Sequence, residues 1–205
     1  MLGLFDRLSK PGHAGFMNGT QAADFPAAVI RPVKPADLAR LAGFFVGLSV
    51  QTRYLRFFAP VTPSPALLRI LSGDAGTAVD ALVATSCGAI VGHAMAADRA
   101  TPPGTQTTDI GVVVSDTWQG HGVGSALMRA LISRAQARGV TSVRMDVLPG
   151  NRRVLAMITG HWPAVRIDHA ADSDIIYLRF PPRQQQWPLA QAASTNGSPL
   201  DQGGR

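Results

Sequence analysis

Residues 107–131 read TTDIGVVVSDTWQGHGVGSALMRAL, and glycine falls at alternate positions in the middle, Gly120, Gly122 and Gly124. No other stretch constrains the fold as much. Thr108 to Val114 has the β-branched content of a strand. Val123 to Arg138 sets Val123, Leu127, Met128, Leu131, Ile132 and Ala135 on one helical face, and Gly139 ends it. A helix start leaves its first N–H groups unpaired and carries partial positive charge, and bare backbone lets an anion approach closely. The stretch therefore predicts an anion cradle between a strand and a helix.

The flanking chain supplies the rest of a sheet. Ala28 to Pro32 reads as a strand, and Pro35 opens a helix with Leu38, Leu41, Phe44, Phe45 and Leu48 at helical spacing. SVQTRYLRFF and SPALLRILSG continue as two further helical pieces. Ala78–Thr85 and Ala89–Ala97 flank Cys87-Gly88 as an antiparallel hairpin. After the central helix come a strand at Val143–Leu148, a short helix at Arg152–Thr159, and strands at Val165–His169 and Ile175–Phe180. The order predicts an α/β (α+β) domain whose mixed sheet holds one parallel β-α-β crossover. Residues 1–26 and 183–205 lack any apolar period and are expected to be flexible tails around a domain at 27–182.

Composition narrows the function. At 205 residues and 46% hydrophobic content, one domain with one good core is expected. The net charge of +6 would suit an acidic partner, but only Arg152-Arg153 are adjacent and the other basic residues are dispersed. A nucleic-acid binder groups them in a stripe, so a solvated basic surface is the better reading. All thirteen acidic residues are Asp, so any carboxylate base must be an aspartate. The single cysteine, Cys87, excludes an internal disulfide and a cysteine-cluster zinc site; it reads as a structural thiol, and no metal is expected. MLGLFDRLSK is too short in apolar character for a signal peptide, and no segment has transmembrane length. A cytoplasmic protein without membrane contact is expected.

Two standard phosphate cradles fail. The NTPase loop needs Gly-Lys-Ser/Thr, and the lysines, Lys10 and Lys34, lie elsewhere. The dinucleotide fingerprint started at Gly120 would need glycine at Ser125, and Ser115 to Gln119 separates the glycines from the strand. Asp146, placed where a ribose-binding acid would sit, keeps a dinucleotide-binding module as a lesser alternative. The third cradle fits: Gln119-Gly120-His121-Gly122-Val123-Gly124 matches Q/R-x-x-G-x-G/A. In this loop the chain resembles the GNAT superfamily of acyl-CoA-dependent N-acetyltransferases. VRMDVLPGN, AVIRPVKPADLARL and GAIVGHA are similar to further segments of that family, so the resemblance covers residues 28 to about 180.

The resemblance implies a GNAT-like, mostly antiparallel sheet of about seven strands with helices on both faces. It implies acetyl-CoA as acyl donor and a primary amine as acceptor, attacking directly in a ternary complex. Backbone groups of Val112, Val113 and Val114 would meet the pantetheine arm, with one N–H, from Val113 or Val114, on the thioester carbonyl oxygen. Gln119, Gly120, His121, Gly122, Val123, Gly124 and Ser125 would wrap the pyrophosphate. Asn151 would contact the cofactor, and Arg152 or Arg153 its phosphates. The general base implied is Asp109, where the family often carries glutamate, with Asp146, His93 and bulk water as rivals. Without the loop, the valines would be strand filler and Asn151 a helix cap.

Departures bear on mechanism. The family often carries a tyrosine acid seven residues after the asparagine, and here Ile158 stands there. Tyr54 and Tyr177 are possible substitutes, although core packing is the simpler reading of each. The missing tyrosine keeps open a non-catalytic CoA-binding protein. LSVQTRYLRFF resembles the acceptor-lining segment of the branch that includes bacterial protein-lysine acetyltransferases; equally, Leu55, Phe57 and Phe58 could pack with Arg53 and Arg56 at the surface. The acceptor stays open between a protein lysine and a small-molecule amine, and so does pairing into a homodimer.

Overall fold

The valine-rich strand and its helix lie at the middle of a seven-stranded sheet. The computed structural model describes residues 26–74, 78–100, 106–163 and 165–181; the two expected tails lie outside the described residues, save Pro26. In chain order the elements are β1 (Val29–Pro32), α1 (Leu38–Gly47), α2 (Val50–Phe57), α3 (Pro65–Leu71), β2 (Val79–Ser86), β3 (Ala89–Asp98), β4 (Thr107–Val114), α4 (Val123–Ala137), β5 (Ser142–Val147), α5 (Arg152–His161), β6 (Arg166–His169) and β7 (Asp174–Arg179). The sheet runs β1-β2-β3-β4-β5-β7-β6, and every neighbouring pair is antiparallel except β4 with β5. That is the mixed sheet with one parallel crossover expected from the sequence.

Two cores sandwich the sheet. On one face α4 packs Val123, Leu127, Met128, Leu131, Ile132 and Ala135 against Ile110 and Val114 of β4, and α5 adds Ile158. Gly92 allows α4 to lie this close, since a Cβ there would stand 2.9 Å from Leu127 Cδ1. On the other face α1 and α3 bury Leu41, Phe44, Phe45, Leu68 and Leu71 against Val83 and Val113. Side chains of β4 thus alternate: even positions face α4, and Val113 faces α1 and α3. Local signals set the helix starts. Ser49 Oγ accepts the Thr52 N–H at the head of α2, and Ser64 Oγ accepts the Leu67 N–H at the head of α3. Cys87 sits exposed in the β2–β3 turn at φ 48°. Among the described residues no helix is long and apolar enough to cross a membrane.

The join of β1 to α1 is held by a buried carboxylate. Asp37 is fully buried and receives Arg31 at 2.6 and 2.8 Å, Arg40 at 2.7 Å and the Lys34 N–H at 2.9 Å. The hydrogen bonds from Arg31 above all, opposed by desolvation, hold its carboxyl well below the usual carboxylate range. Asp37→Ala is expected to lower the unfolding free energy by about 2 kcal/mol at neutral pH, measured by urea denaturation. Because the folded-state pKa is depressed, this contribution is complete above about pH 4 and fades as pH falls toward the lowered value. The gap between the two proteins should therefore close on acidification.

Candidate active site

The site begins where two strands part. Arg99 N–H donates to Thr107 O and Ser115 N–H to Val91 O, so odd-numbered residues of β4 direct their backbone groups to β3. Even-numbered residues turn theirs toward β5, as Ser142 N–H donating to Gln106 O shows at the entry. On that side pairing stops early: only Thr107, Thr108 and Asp109 meet β5, opposite Ser142, Val143 and Arg144. Val112 and Val114 therefore present backbone polar groups to an opening rather than to a strand. The Val113 amide, named from the sequence as a candidate for the thioester oxygen, is turned to β3 instead; its pairing with His93 in the ladder is the reason. A cavity of about 970 Å³ fills the fork.

The glycine loop closes one end of this cavity. Gly122 is the N-cap of α4 at φ 80°, a left-handed conformation that glycine adopts without strain. The first helical hydrogen bond runs from Ala126 N–H to Gly122 O. The amides of Val123, Gly124 and Ser125 are consequently left without intrahelical acceptors at the positive end of the dipole. Arg153 covers the loop from α5, its Nη2 only 2.6 Å from where a Cβ on Gly120 would sit. Unpaired amides, a left-handed glycine and a guanidinium are the groups that could hold an anion such as a diphosphate.

A polar network fixes the loop to the rest of the domain. Gln119 Nε2 donates to Val114 O and to Thr52 Oγ1, each at 3.1 Å, and its Oε1 accepts from Arg153 Nη1 at 3.4 Å. Asp116 accepts from the Ser49 N–H at 3.0 Å, Ser49 Oγ at 2.7 Å and Thr52 Oγ1 at 2.7 Å. Desolvation works against the Asp116 charge, but the hydrogen bonds from Ser49 and Thr52 outweigh it and hold the carboxyl below its usual value. The end of β4, the head of α2 and the start of α5 thus form one unit.

The structure gathers most of the residues singled out from the sequence around the cavity: Asp109, the three valines, Gln119, Gly120, Gly122, Gly124, Ser125 and Asn151. Val123 instead turns its side chain into the core, and His121 is exposed beside the loop. Asn151 caps α5 by accepting the Val154 N–H at 3.4 Å. Of the two candidate arginines, Arg153 stands at the loop while Arg152 lines a smaller neighbouring cavity with Tyr54.

Asp109 stands at the fork, where the β4–β5 pairing ends. Its Oδ2 receives Arg99 at 2.8 Å, and its buried Oδ1 has no hydrogen-bond partner, with Arg144 Nη1 3.6 Å away. Asp146 is exposed and held by Arg144 through two contacts of 2.7 Å. His93 is fully buried, and its Nε2 donates to Leu71 O at 2.8 Å. Burial first, and then the Arg56 charge, pushes its pKa down to about 3, so the ring stays neutral. Enclosed in that way, it is a core histidine. Ile158 forms apolar wall with Val154 and Met157 where the family often has tyrosine, and Tyr177 lies beneath the Arg166 guanidinium, 5.9 Å from it.

Arg56 departs from the surface position considered for it. It lines the cavity, and burial lowers its pKa to about 10, which leaves it charged at neutral pH. Helical spacing in RYLRFF gives its direction but not its depth. The Asp116 network also carried no sequence signal, because its partners are 64 and 67 residues apart.

Residues 49–159 match the Acetyltransferase (GNAT) family, and the chain belongs to that family. Acetyltransferase Pat of Mycolicibacterium smegmatis is 31% identical over 170 residues, which is 78% of this chain and 50% of the relative. The chain thus spans about half the length of that curated relative. The GNAT domain of S. lividans PAT aligns with a TM-score of 0.68 at 23% identity, over 75% of this chain and 90% of that one. YncA of Salmonella typhimurium, a putative acetyltransferase solved with acetyl-CoA, aligns with a TM-score of 0.58 at 17% identity, over 77% and 96% of the two chains. These structures are similar in fold. GNAT enzymes draw their acyl group from acetyl-CoA, and a sheet with one parallel pair is not the doubly wound sheet of a dinucleotide module.

Asp116→Ala is expected to free the loop from α2. Hydrogen exchange should accelerate at residues 49–52 and 119–125, with a stability loss of about 1–2 kcal/mol. Unchanged exchange in both segments would show that the network does not order the loop.

Proposed function

We propose that this chain transfers the acetyl group of acetyl-CoA to a primary amine, of a protein lysine or a small molecule, by direct attack with both substrates bound. The observation that carries this is the fork: the backbone groups of Val112 and the N–H of Val114 face an opening without a strand partner beside the N-terminus of α4. The donor, when bound, supplies an activated acyl group on a thioester.

The chain's own residues then bind, orient and move a proton. Amides from Val123 to Ser125, with Arg153, hold the diphosphate. The Val112 and Val114 backbone aligns the pantetheine arm by adding to the open strand edge. An N–H there, already fixed by the sheet, stabilises negative charge on the carbonyl oxygen in the transition state without reorganising. An attacking amine is mostly ammonium at neutral pH and must lose a proton first. Asp109 accepts it through Oδ1, the oxygen that Arg99 leaves unused. The apolar wall at Ile158 offers no acid, so the thiolate leaves unassisted or takes its proton from water. That wall also favours a second reading, a CoA-binding protein without turnover. Acetyl-CoA consumption by the pure protein with mixed amines separates the two.

Gly122→Glu should abolish CoA binding in calorimetry, because a carboxylate and a strained residue would replace bare backbone at the diphosphate. Full affinity in a folded variant would refute the cradle. Asp109→Asn should lower the rate by about 100-fold or more at neutral pH while leaving CoA affinity alone. The loss should shrink as pH rises toward the amine pKa, since free amine then forms without a protein base. An undiminished neutral-pH rate would mean that the proton leaves by another route.

A further inference from the structure

We propose that Arg56 sets acceptor choice, and that the acceptor is a small primary amine carrying its own carboxylate. This rests on the acetyl-transfer reading above and names its substrate class. The guanidinium lies on Gly111 of β4: a Cβ there would stand 2.5 Å from Cζ and Nη2 and 2.8 Å from Nη1. Gly111 and Asp109 point to the same face of the strand, two residues and about 6.6 Å apart. A carboxylate and a guanidinium thus stand side by side in one cavity.

The charges in this cavity do not balance. Of the lining arginines, Arg144 is paired with Asp146 at 2.7 Å and lies 3.6 Å from Asp109, which Arg99 also meets from outside the lining at 2.8 Å. Arg56 has no carboxylate partner among the described residues; it lies 5.1 Å from the centroid of the Phe57 ring, and its buried Nε has no hydrogen-bond partner. The adjacent His93 is neutral, and its Nε2 is already donated to Leu71 O. A guanidinium partly withdrawn from water, with its Nε buried and no carboxylate beside it, is unfavourable, and an anion brought by a ligand relieves this. The donor's phosphates have their own cation in Arg153 and lie at the α4 end of the cleft, whereas Arg56 occupies the α2 side of β4. The missing anion is therefore the acceptor's.

A zwitterion satisfies both groups at once, its ammonium toward Asp109 and its carboxylate on Arg56. The strand spacing between the two is the length scale of a small amino acid. A diamine, or a lysine among basic neighbours, would set a second cation against Arg56 and be rejected.

Initial rates with L-amino acids, each compared with its carboxamide and with the amine lacking the carboxyl, test this. The wild-type protein should favour the acids in kcat/KM by about 10- to 100-fold, the scale of one charge-assisted hydrogen bond. Arg56→Met should erase that preference by raising acceptor KM, with the acetyl-CoA KM changed by less than about twofold, and Arg56→Lys should restore part of it. Gly111→Ala, which displaces the guanidinium through the flexible end of its side chain, gives the same readout should Arg56→Met fail to fold. Equal rates for acid and carboxamide, turnover of peptide lysines alone, or an equal fall for both members of each pair in Arg56→Met would overturn the proposal. Failure of the underlying reading looks different: the wild-type protein would bind no CoA in calorimetry and consume no acetyl-CoA with any amine, and both readings would fall together.

Discussion

The early end of β4–β5 pairing is the constraint from which the rest follows. A backbone N–H or C=O withdrawn from water needs a partner, and a sheet normally supplies it. Past Asp109 it does not, so Val112 and Val114 stand in the middle of a seven-stranded sheet with an open edge. Such an edge attracts any extended chain. Here it opens into a cavity lined by residues of α2, α5 and the glycine loop.

Holding that opening requires ties made elsewhere. α4 is pressed onto the sheet by an apolar face that reaches β2, β3 and β4, so the helix N-terminus cannot drift from the strand end. Gln119 meets the Val114 carbonyl, one of the groups the fork leaves open, and converts it into an anchor for the loop. Asp116 does the same for α2 through Ser49 and Thr52. These contacts lie around the rim, and the backbone groups of Val112 inside the fork have no strand partner. Stability and ligand capacity are thus divided between neighbouring residues of one loop.

Much of this was legible in the sequence. Each strand and helix fell within a few residues of its expected bounds, because apolar period, serine caps and glycine stops agree along the chain. The loop's turn was legible too, since its glycines are demanded by backbone geometry at Gly120 and Gly122. The strand edge was not. Val112, Val113 and Val114 are the same residue, and only the ladder with β3 decides which amide faces the fork. Arg56 was hidden differently: its neighbours RYLRFF suggest a helix, but the depth of an arginine depends on Gly111, which lies 55 positions away in the chain.

The absence of glutamate shapes the chemistry that this fold can run. In the proposed transfer, Asp109 as the base would have to reach an amine held against the fork, and aspartate is one methylene shorter than the glutamate common in the family. Arg99 donates to one oxygen from the end of β3 and draws the carboxylate toward that strand. The other oxygen accepts no hydrogen bond, with Arg144 Nη1 3.6 Å away. A group that is both short and tethered spans the remaining distance through water more readily than by direct contact, and an ordered water bridging two polar groups costs at most about 2 kcal/mol. The same tether that limits reach also restricts the carboxylate, whose Oδ1 is buried rather than open to bulk solvent. In a cleft whose remaining carboxylate, Asp146, is bound by Arg144, this leaves a single aspartate oxygen at the point where the two strands separate.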